Sequence, residues 1–319
     1  MLHTAKQINH HLLGAKKVVI VPHQNPDGDA LGSAAALTDY LVSLGKNPQI
    51  FCPAPILKKM QFLPYLERVI FDPVVFEDLS IDTIIVLDSG DLRYAGIDHL
   101  IKTHPADIIN IDHHHTNERY GKINLVVPTA SSTSEIVFNF FKHNHIGLNH
   151  KVATALLTGL VSDTDNFSNG ATSSEALSIA SELIRAGGNL NLINGWTLKN
   201  KTPDVLRLWG ATLSRLTRHE GLDLAYTYLT REDLIKNNVS ESESEGIANY
   251  LNNLDGVKIS LILKETEDGK IKGSFRTTRD DTDVSALAKK LGGGGHKKAA
   301  GFTTAGTIKE VLAKILTEK

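Results

Sequence analysis

Three apolar segments of this chain each end abruptly in acidic or imidazole side chains. The segments are Val18 to Val21, Thr83 to Leu87 and Ile108 to Ile111, and their β-branched residues are typical of buried strands. A segment with apolar residues at helical spacing, Ala30 to Leu44, follows the first of them. Strands that alternate with helices predict an α/β fold with a doubly wound, mainly parallel sheet, whose ligand site lies beyond the carboxyl ends of the strands.

The side chains at these strand ends, and at the end of a later buried helix, are candidates for a metal centre. They are His23, Asp27 and Asp29 after the first strand, Asp88 after the second, Asp112, His113 and His114 after the third, and Asp163 after the helix. Carboxylates as close as Asp27 and Asp29 would repel each other, and a divalent cation removes that repulsion. Imidazole and carboxylate without thiolate favour Mn²⁺ over a structural zinc site, and several aspartates suggest two ions bridged by Asp88.

The first loop taken alone is equally compatible with a structural interpretation. Residues 25–28 could form an ordinary Asn-Pro-Asp-Gly turn, with Asp29 as the cap of the following helix. Gly28 and Gly32 are interpreted as residues that keep backbone bulk away from a bound ligand. The metal interpretation therefore depends on further ligands at the other strand ends. Two ions bound there would clamp the attacking and leaving oxygens of a displacement at phosphorus.

Composition limits the partners of the protein. Lys and Arg total 34 against 36 Asp and Glu over 319 residues, so no extended basic track for long duplex nucleic acid is expected. The single cysteine excludes an internal disulfide framework and fits a reducing compartment. No apolar run approaches the roughly 18 residues that span a bilayer, and the N-terminus lacks the features of a signal peptide. A soluble, cytoplasmic protein is therefore expected.

A break in composition at Ala186 to Gly188 predicts two domains. The predicted limits are 1–185 for the first domain, 186–220 for a linker with a connector helix from about Pro203 to Arg218, and 221–319 for the second. The second part alternates short strands with helices such as SESEGIANYLNNL, and a Glu-Asp-Gly turn predicts a hairpin around residues 267–269. A smaller α/β domain with a mixed sheet follows, and the active site is expected in the cleft between the domains.

Four motifs resemble, in order, those of the DHH phosphoesterase superfamily, and the resemblance extends over nearly the whole chain. They are HQNPDGDALGS, VLDSGD, IDHHHTN and GLVSDTDNF. A fifth, LGGGGHKKAAG, resembles the glycine-rich motif of the DHH-associated C-terminal domain. The fourth motif departs from related oligonucleotide-degrading members, because Asp165 stands in place of a glycine and Ser168 follows Phe167. The departure puts a substrate contact near Phe167 in doubt.

The resemblance implies a role for each candidate. One ion would be held by His23, Asp27 and Asp88, and the other by Asp29, Asp88, His113 and Asp163. His114 would face the substrate as an acid or a phosphate-binding group, and Asp112 would orient the histidines. The implied catalytic residues are thus His114, Asp88 and Asp112.

The glycine run at residues 292–295 is a candidate substrate-binding segment. Consecutive glycines let backbone amides approach an anion closely, although a run of glycines followed by lysines can also be a flexible surface loop. In the resembling domain this motif binds the nucleotide end of the substrate. The residues implied to do so here are Arg276, Gly293, Gly294, Gly295 and His296.

Within the superfamily, the chain is most similar to the bacterial nanoRNase and pAp phosphatase group. This similarity implies a phosphoesterase that uses two Mn²⁺ ions, or Mg²⁺ or other divalent ions, to hydrolyse short oligonucleotides to mononucleotides and to dephosphorylate 3′-phosphoadenosine 5′-phosphate (pAp). The alternatives are a phosphodiesterase for pApA and cyclic dinucleotides, a single-strand DNA exonuclease, and a nucleotide sensor without turnover. The expected partners are short single strands and small nucleotides, with no membrane and no long duplex, and a homodimer is compatible with the sequence.

Overall fold

The chain folds into two compact units, Met1–Asn200 and Lys201–Lys319. The computed structural model describes residues 1–197, 199, 201–244, 246–295 and 297–317. The division falls within the segment that the sequence predicts to be a linker. The predicted limits of the two domains stay predictions.

The first unit contains a six-stranded, wholly parallel sheet. Its strands are β1 Val18–Pro22, β2 Gln49–Phe51, β3 Val69–Ile70, β4 Thr83–Leu87, β5 Asp107–Asp112 and β6 Ile123–Val126, in the order β3-β2-β1-β4-β5-β6. The direction of winding reverses between β1 and β4, so a crevice opens at the carboxyl ends of these two neighbours. The predicted doubly wound parallel sheet is confirmed, and the three strands recognised in the sequence are its centre.

Both faces of this sheet are buried. Along β1, Val18 and Ile20 pack into one apolar core, and Val19 and Val21 pack into another on the opposite face. The first core is covered by helices α1 Leu2–Gly14, α2 Gly28–Ser43, α3 Thr133–His143, α4 His150–Asp163, α5 Ser174–Arg185 and α6 Leu190–Thr197. The second core is covered by loops and short 3₁₀ turns, such as Pro73–Glu77. Burial of both faces explains the continuous apolar runs of the central strands.

The second unit contains a six-stranded mixed sheet. Its elements are α7 Pro203–Leu213, β7 Thr217–His219, β8 Leu224–Leu229, α8 Arg231–Asn237, α9 Ile247–Tyr250, β9 Ile259–Glu265, β10 Ile271–Arg276, α10 Val284–Lys290, β11 Gly294–Gly295, β12 Ala299–Thr304 and α11 Ile308–Thr317. The strand order is β11-β12-β10-β9-β8-β7, with β8 and β9 parallel and the other neighbours antiparallel. The predicted mixed sheet is confirmed. The β9–β10 hairpin is also confirmed, with Gly269 at φ +77° in its turn.

Two helix predictions in this part are wrong. The connector helix ends at Leu213 instead of Arg218, because Thr217–His219 pairs with β8 and takes an extended conformation. Among the described residues of the SESEGIANYLNNL segment, only Ile247–Tyr250 is α-helical. Short 3₁₀ turns flank it at Ser242–Ser244 and Leu251–Asn253. None of the described helices in either unit combines the length and the apolarity needed to cross a membrane.

The interpretation of Gly28 and Gly32 as residues that clear space for a ligand is wrong. A Cβ atom on Gly32 would lie 2.3 Å from the carbonyl oxygen of Ala155, and one on Gly28 would lie 2.8 Å from Cβ of Ser162. Both glycines therefore allow helix α2 to pack directly on helix α4. This close approach brings the first turn of α2 near the end of α4.

We expect Gly32→Ala to destabilise the first unit. The added methyl group cannot fit against the α4 backbone, so the helices must separate, at a cost of about 1–3 kcal/mol in the free energy of unfolding. Urea denaturation followed by circular dichroism measures this change. Gly147→Ala is the matched control, because no heavy atom lies within 4 Å of its added Cβ. Equal stability of the two variants would contradict the packing argument.

Candidate metal centre

The order of the strands gathers the candidate side chains. His23 follows β1, Asp88 follows β4, and Asp112 ends β5, and these three strands are neighbours in the sheet. Asp27 is the N-cap of α2 and accepts hydrogen bonds from the amides of Asp29 and Ala30. The capping role that the sequence left open for Asp29 thus belongs to Asp27.

Three groups of potential ligand atoms lie at this edge of the sheet. The groups are His23 with Asp27 and Asp88, Asp29 with His113 and Asp163, and Asp88 with His113 and His114. Within each group the atoms lie within 4.8 Å of one another. The structure therefore brings together all six residues that the sequence proposes as ligands. Their division between two ions stays a prediction.

Asp88 lies at the centre of this arrangement and is almost fully buried. Its Oδ2 is 3.7 Å from Nε2 of His23, and its Oδ1 is 3.5 Å from Nε2 of His113. The two carboxylate oxygens therefore face different imidazoles. The backbone of Asp88 is left-handed, with φ +56°, a conformation that aspartate tolerates better than most residues.

Asp29 is completely buried and is held by the start of helix α3. The amide of Thr133 donates to its Oδ2 at 2.6 Å, and the amide of Ser134 donates to its Oδ1 at 2.8 Å. Gly159 of α4 leaves room for the Asp29 carboxylate, because a Cβ at this position would lie 2.4 Å from Oδ1 of Asp29. A carboxylate held by two amides at a helix N-terminus is stabilised in its charged form.

The crowded carboxylates perturb one another. Burial, and next the charge of Asp163, raises the pKa of Asp29 to about 7. Burial raises the pKa of Asp163 to about 6, although its hydrogen bond with His113 opposes the rise. Burial and the charge of Asp29 also raise the pKa of Asp88 well above its usual range. Such a set of oxygen and nitrogen donors fits divalent cations, which remove the repulsion between the charges.

The two adjacent histidines have different surroundings. Nδ1 of His113 lies 3.3 Å from the carbonyl oxygen of Ala130, and its Nε2 lies 3.1 Å from Oδ2 of Asp163. This places a proton on Nδ1 and turns Nε2 toward the carboxylates. Burial lowers the pKa of His113, but the hydrogen bond with Asp163 outweighs it and raises that pKa to about 9.

His114 contacts Asp112, which is completely buried. Nδ1 of His114 lies 2.7 Å from Oδ1 of Asp112, and Asn117 donates from Nδ2 to Oδ2 of Asp112 at 2.6 Å. The amide of His113 also donates to Asp112 at 2.8 Å. Burial opposes ionisation of Asp112, but its bonds to His114 and Asn117 lower its pKa overall. Asp112 thus contacts both histidines, and its orienting role stays a prediction.

Sequence reasoning missed two residues at the centre. Tyr94 stacks on His23, with 5.0 Å between ring centroids and 23° between planes. Thr133 donates from Oγ1 to Oδ1 of Asp88 at 3.1 Å. No local signal marks either residue. Asn117, which ends the third motif and follows the third strand, donates a hydrogen bond to Asp112.

The unusual fourth motif forms a left-handed turn after α4. Asp165, Asn166 and Phe167 all have positive φ, from +48° to +62°. Phe167 is partly buried and packs against the core of the first unit. A substrate contact at Phe167 was in doubt from the sequence, and packing gives this side chain a structural role.

The candidates in the second unit lie near the ends of strands. Arg276 ends β10 and donates from Nε to Oδ1 of Asn249 at 3.2 Å. The amide of Gly293 donates to the carbonyl oxygen of Ala288, and a Cβ there would lie 2.1 Å from the carbonyl oxygen of Gly301.

The other two candidate glycines belong to the short strand β11. Gly294 and Gly295 pair with β12, and a Cβ on Gly294 would meet nothing within 4 Å. His296 lies outside the described residues. Close strand packing thus accounts for Gly293, and the substrate-binding role of all these residues stays a prediction.

Comparisons with known proteins agree with this arrangement. Residues 17–160 match the DHH family, N-terminal domain, and residues 221–318 match the DHHA1 domain. Bifunctional oligoribonuclease and PAP phosphatase NrnA of Thermus thermophilus is 33% identical over 293 residues, which cover 91% of this chain and 84% of that protein. The Bacillus subtilis protein of the same name is 28% identical over 287 residues, covering 89% and 88%. The crystal structure of an exopolyphosphatase-related protein from Bacteroides fragilis has a TM-score of 0.91 and 27% identity, covering 99% of this chain and 96% of that one.

Without a cation, we expect the protein to lose stability as the pH rises. Asp29 and Asp163 have raised pKa values, so between the ordinary value of 3.8 and about 7 the folded state binds more protons than the unfolded chain. His113 acts in the same direction, because its contribution is full below 6.5 and is lost as the pH rises through about 9. The free energy of unfolding in EDTA should fall by a few kcal/mol from about pH 5 to about pH 8.

Urea denaturation at the two pH values measures this change, and saturating Mn²⁺ provides the control. Because cations bind the deprotonated groups, Mn²⁺ should stabilise the protein more at the higher pH and reduce or reverse the trend. Metal-free protein that becomes more stable toward about pH 8 would contradict the electrostatic description of the site.

Proposed function

The chain belongs to the DHH family, and from this premise we propose that it is a phosphoesterase that uses two divalent cations, preferably Mn²⁺. Its proposed substrates are short oligoribonucleotides, which it would hydrolyse to mononucleotides, and pAp, from which it would remove the 3′ phosphate. One observation carries the proposal: buried Asp88 belongs to two groups of ligand atoms, with one oxygen toward His23 and the other toward His113. A carboxylate shared in this way can hold two ions close together, as a two-ion site for displacement at phosphorus requires.

The donor set fits such a pair of ions. His23, Asp27 and Asp88 would hold one, and Asp29, Asp88, His113 and Asp163 would hold the other. When bound, two such ions lower the pKa of a water molecule and stabilise charge on the attacking and leaving oxygens of an in-line displacement at phosphorus. The number of ions and the preference for Mn²⁺ belong to this proposal.

The chain itself would orient the substrate and provide a proton. Asp112 holds the proton of His114 on Nδ1, which would direct Nε2 toward the phosphoryl group. In its doubly protonated form His114 would donate a hydrogen bond from Nε2 to a phosphate oxygen, or would transfer the Nε2 proton to the leaving oxygen and become neutral. Although burial raises the pKa of Asp112, its hydrogen bonds to His114 and Asn117 lower that pKa overall, so Asp112 stays ionised in this arrangement.

The proposed substrates follow from the relatives and from the charge of the chain. The two relatives described above are named for oligoribonuclease and PAP phosphatase activity, and this chain covers more than four fifths of each. A formal net charge of −2 offers little attraction for long duplexes, which favours short single strands. Arg276, Gly293, Gly294, Gly295 and His296 would bind the nucleotide end of the substrate.

We expect Asp88→Asn to abolish hydrolysis of every substrate, because an amide binds both ions more weakly than a carboxylate does. The measurement is release of mononucleotide or phosphate from short RNA, short DNA, pAp and pApA, each with Mn²⁺ and with Mg²⁺. Wild-type preference for short RNA and pAp would support the proposal, and preference for pApA or DNA would favour those alternatives.

The same assay separates an enzyme from a sensor. Binding of these nucleotides by the wild-type protein without any release would support the sensor. A folded Asp88→Asn variant with full activity would contradict the bridging role of Asp88. Circular dichroism controls for folding.

We expect Arg276→Ala and His296→Ala to weaken substrate binding and to leave the metal centre intact. Each change removes a positive or hydrogen-bonding group, so the KM for short oligonucleotides should rise about tenfold, with a smaller change in kcat. Arg207→Ala is the matched control, because Arg207 is exposed and pairs with Asp204 on its own helix. Unchanged KM in both test variants, with Mn²⁺ binding also unchanged, would contradict the substrate role of the second domain.

A further inference from the structure

The turn that begins helix α3 contacts three of the proposed metal ligands. The carbonyl oxygen of Ala130 lies 3.3 Å from Nδ1 of His113, the amides of Thr133 and Ser134 donate to Asp29, and Oγ1 of Thr133 donates to Asp88. Of these contacts, only the last is made by a side chain of the turn. One short segment therefore determines the positions of His113, Asp29 and Asp88 together.

Further hydrogen bonds fix the conformation of this turn. Oγ of Ser132 accepts from the amide of Glu135 at 3.0 Å and caps the helix. Oε2 of Glu135 accepts from both the amide and the hydroxyl of Ser131, at 3.0 and 2.7 Å. Glu135 is buried, so these bonds are shielded from water. The hydroxyl of Thr133 thus projects from a rigid support.

This hydroxyl fixes the rotation of the Asp88 carboxylate. Without a bond to either oxygen, the terminal torsion of an aspartate rotates over a broad range. Thr133 donates to Oδ1, which is the oxygen that faces His113, and the remaining oxygen faces His23. The hydrogen bond therefore keeps one oxygen directed toward each group of ligands.

We propose that Thr133 is a positioning residue that sets the rotation of the bridging Asp88 carboxylate and thereby couples the two cation sites. The inference rests on the proposed function, because it requires Asp88 to bridge two ions. It assigns to Thr133 no contact with substrate. Thr133 would affect how tightly the protein binds the cations and how the two cations interact with each other. Both quantities can be measured without turnover.

The test compares Thr133→Val with Thr133→Ser. Valine has nearly the same shape but removes the hydroxyl, and serine keeps it. Titration calorimetry with Mn²⁺ should show the affinity for the more weakly bound ion reduced by about tenfold to a hundredfold in Thr133→Val, and nearly restored in Thr133→Ser. Electron paramagnetic resonance should show a spin-coupled Mn²⁺ pair in wild type and in Thr133→Ser, and a loss of that coupling in Thr133→Val.

Thr158→Val is the matched control for the loss of a buried hydroxyl. Oγ1 of Thr158 donates to the carbonyl oxygen of Thr154 within helix α4, so its removal leaves the rotation of Asp88 unchanged. We expect this variant to bind Mn²⁺ with the wild-type affinity and coupling. Equal losses in both valine variants would mean that the effect is one of general packing and would overturn the inference.

The outcomes distinguish this inference from the proposed function. If wild type binds a coupled pair of Mn²⁺ ions and Thr133→Val binds it with the same affinity and coupling, the role of Thr133 is wrong and the two-ion site stands. If wild type itself binds no coupled pair, the bridge at Asp88 fails, and the proposed function and this inference are both overturned.

Discussion

The electrostatic repulsion among buried carboxylates is the constraint on which this structure depends. Asp29 and Asp88 are almost completely removed from solvent, and Asp163 lies close to them at the end of α4. No fold would concentrate such groups for stability alone, because their mutual repulsion and burial both disfavour ionisation. The surrounding amides and hydroxyls offset part of this cost, and divalent cations would offset the rest. The amides and hydroxyls around these carboxylates are the groups that a charged, cation-binding centre needs.

The topology of the sheet solves the problem of bringing these groups together. His23 and Asp88 are far apart in the sequence but meet, because β1 and β4 are neighbours whose carboxyl ends share one edge. Helix α4 ends near the same edge of the sheet. It packs closely on α2, because Gly32 leaves room for the α4 backbone. Sequence reasoning attributed Gly28 and Gly32 to ligand access, but these glycines allow helix packing instead. They position the helices that carry candidate ligands.

Much of the fold and of the site was predictable because the signals are local. Strand β4 was located to the residue, since a continuous apolar run bounded by polar residues marks a buried strand, whereas β3 and β11 have only two residues each and give no pattern. Most candidate ligands were found because they lie in the segments that follow strands, and Asp163 was found because it ends a buried helix. Thr133 was missed because its partner, Asp88, lies 45 positions away in the sequence. The sequence Ser-Ser-Thr-Ser-Glu indicates a helix cap and gives no sign of that contact. Long-range packing and hydrogen bonding thus set the limit of prediction.

The left-handed backbone of Asp88 restricts the evolution of this position. Glycine, asparagine and aspartate occupy that conformation at low cost, whereas β-branched or bulky residues are strained there. Most single replacements would therefore add backbone strain of about 1–2 kcal/mol, besides removing a candidate metal ligand. A relative that keeps the fold without this carboxylate should carry asparagine or glycine here more often than a bulky residue.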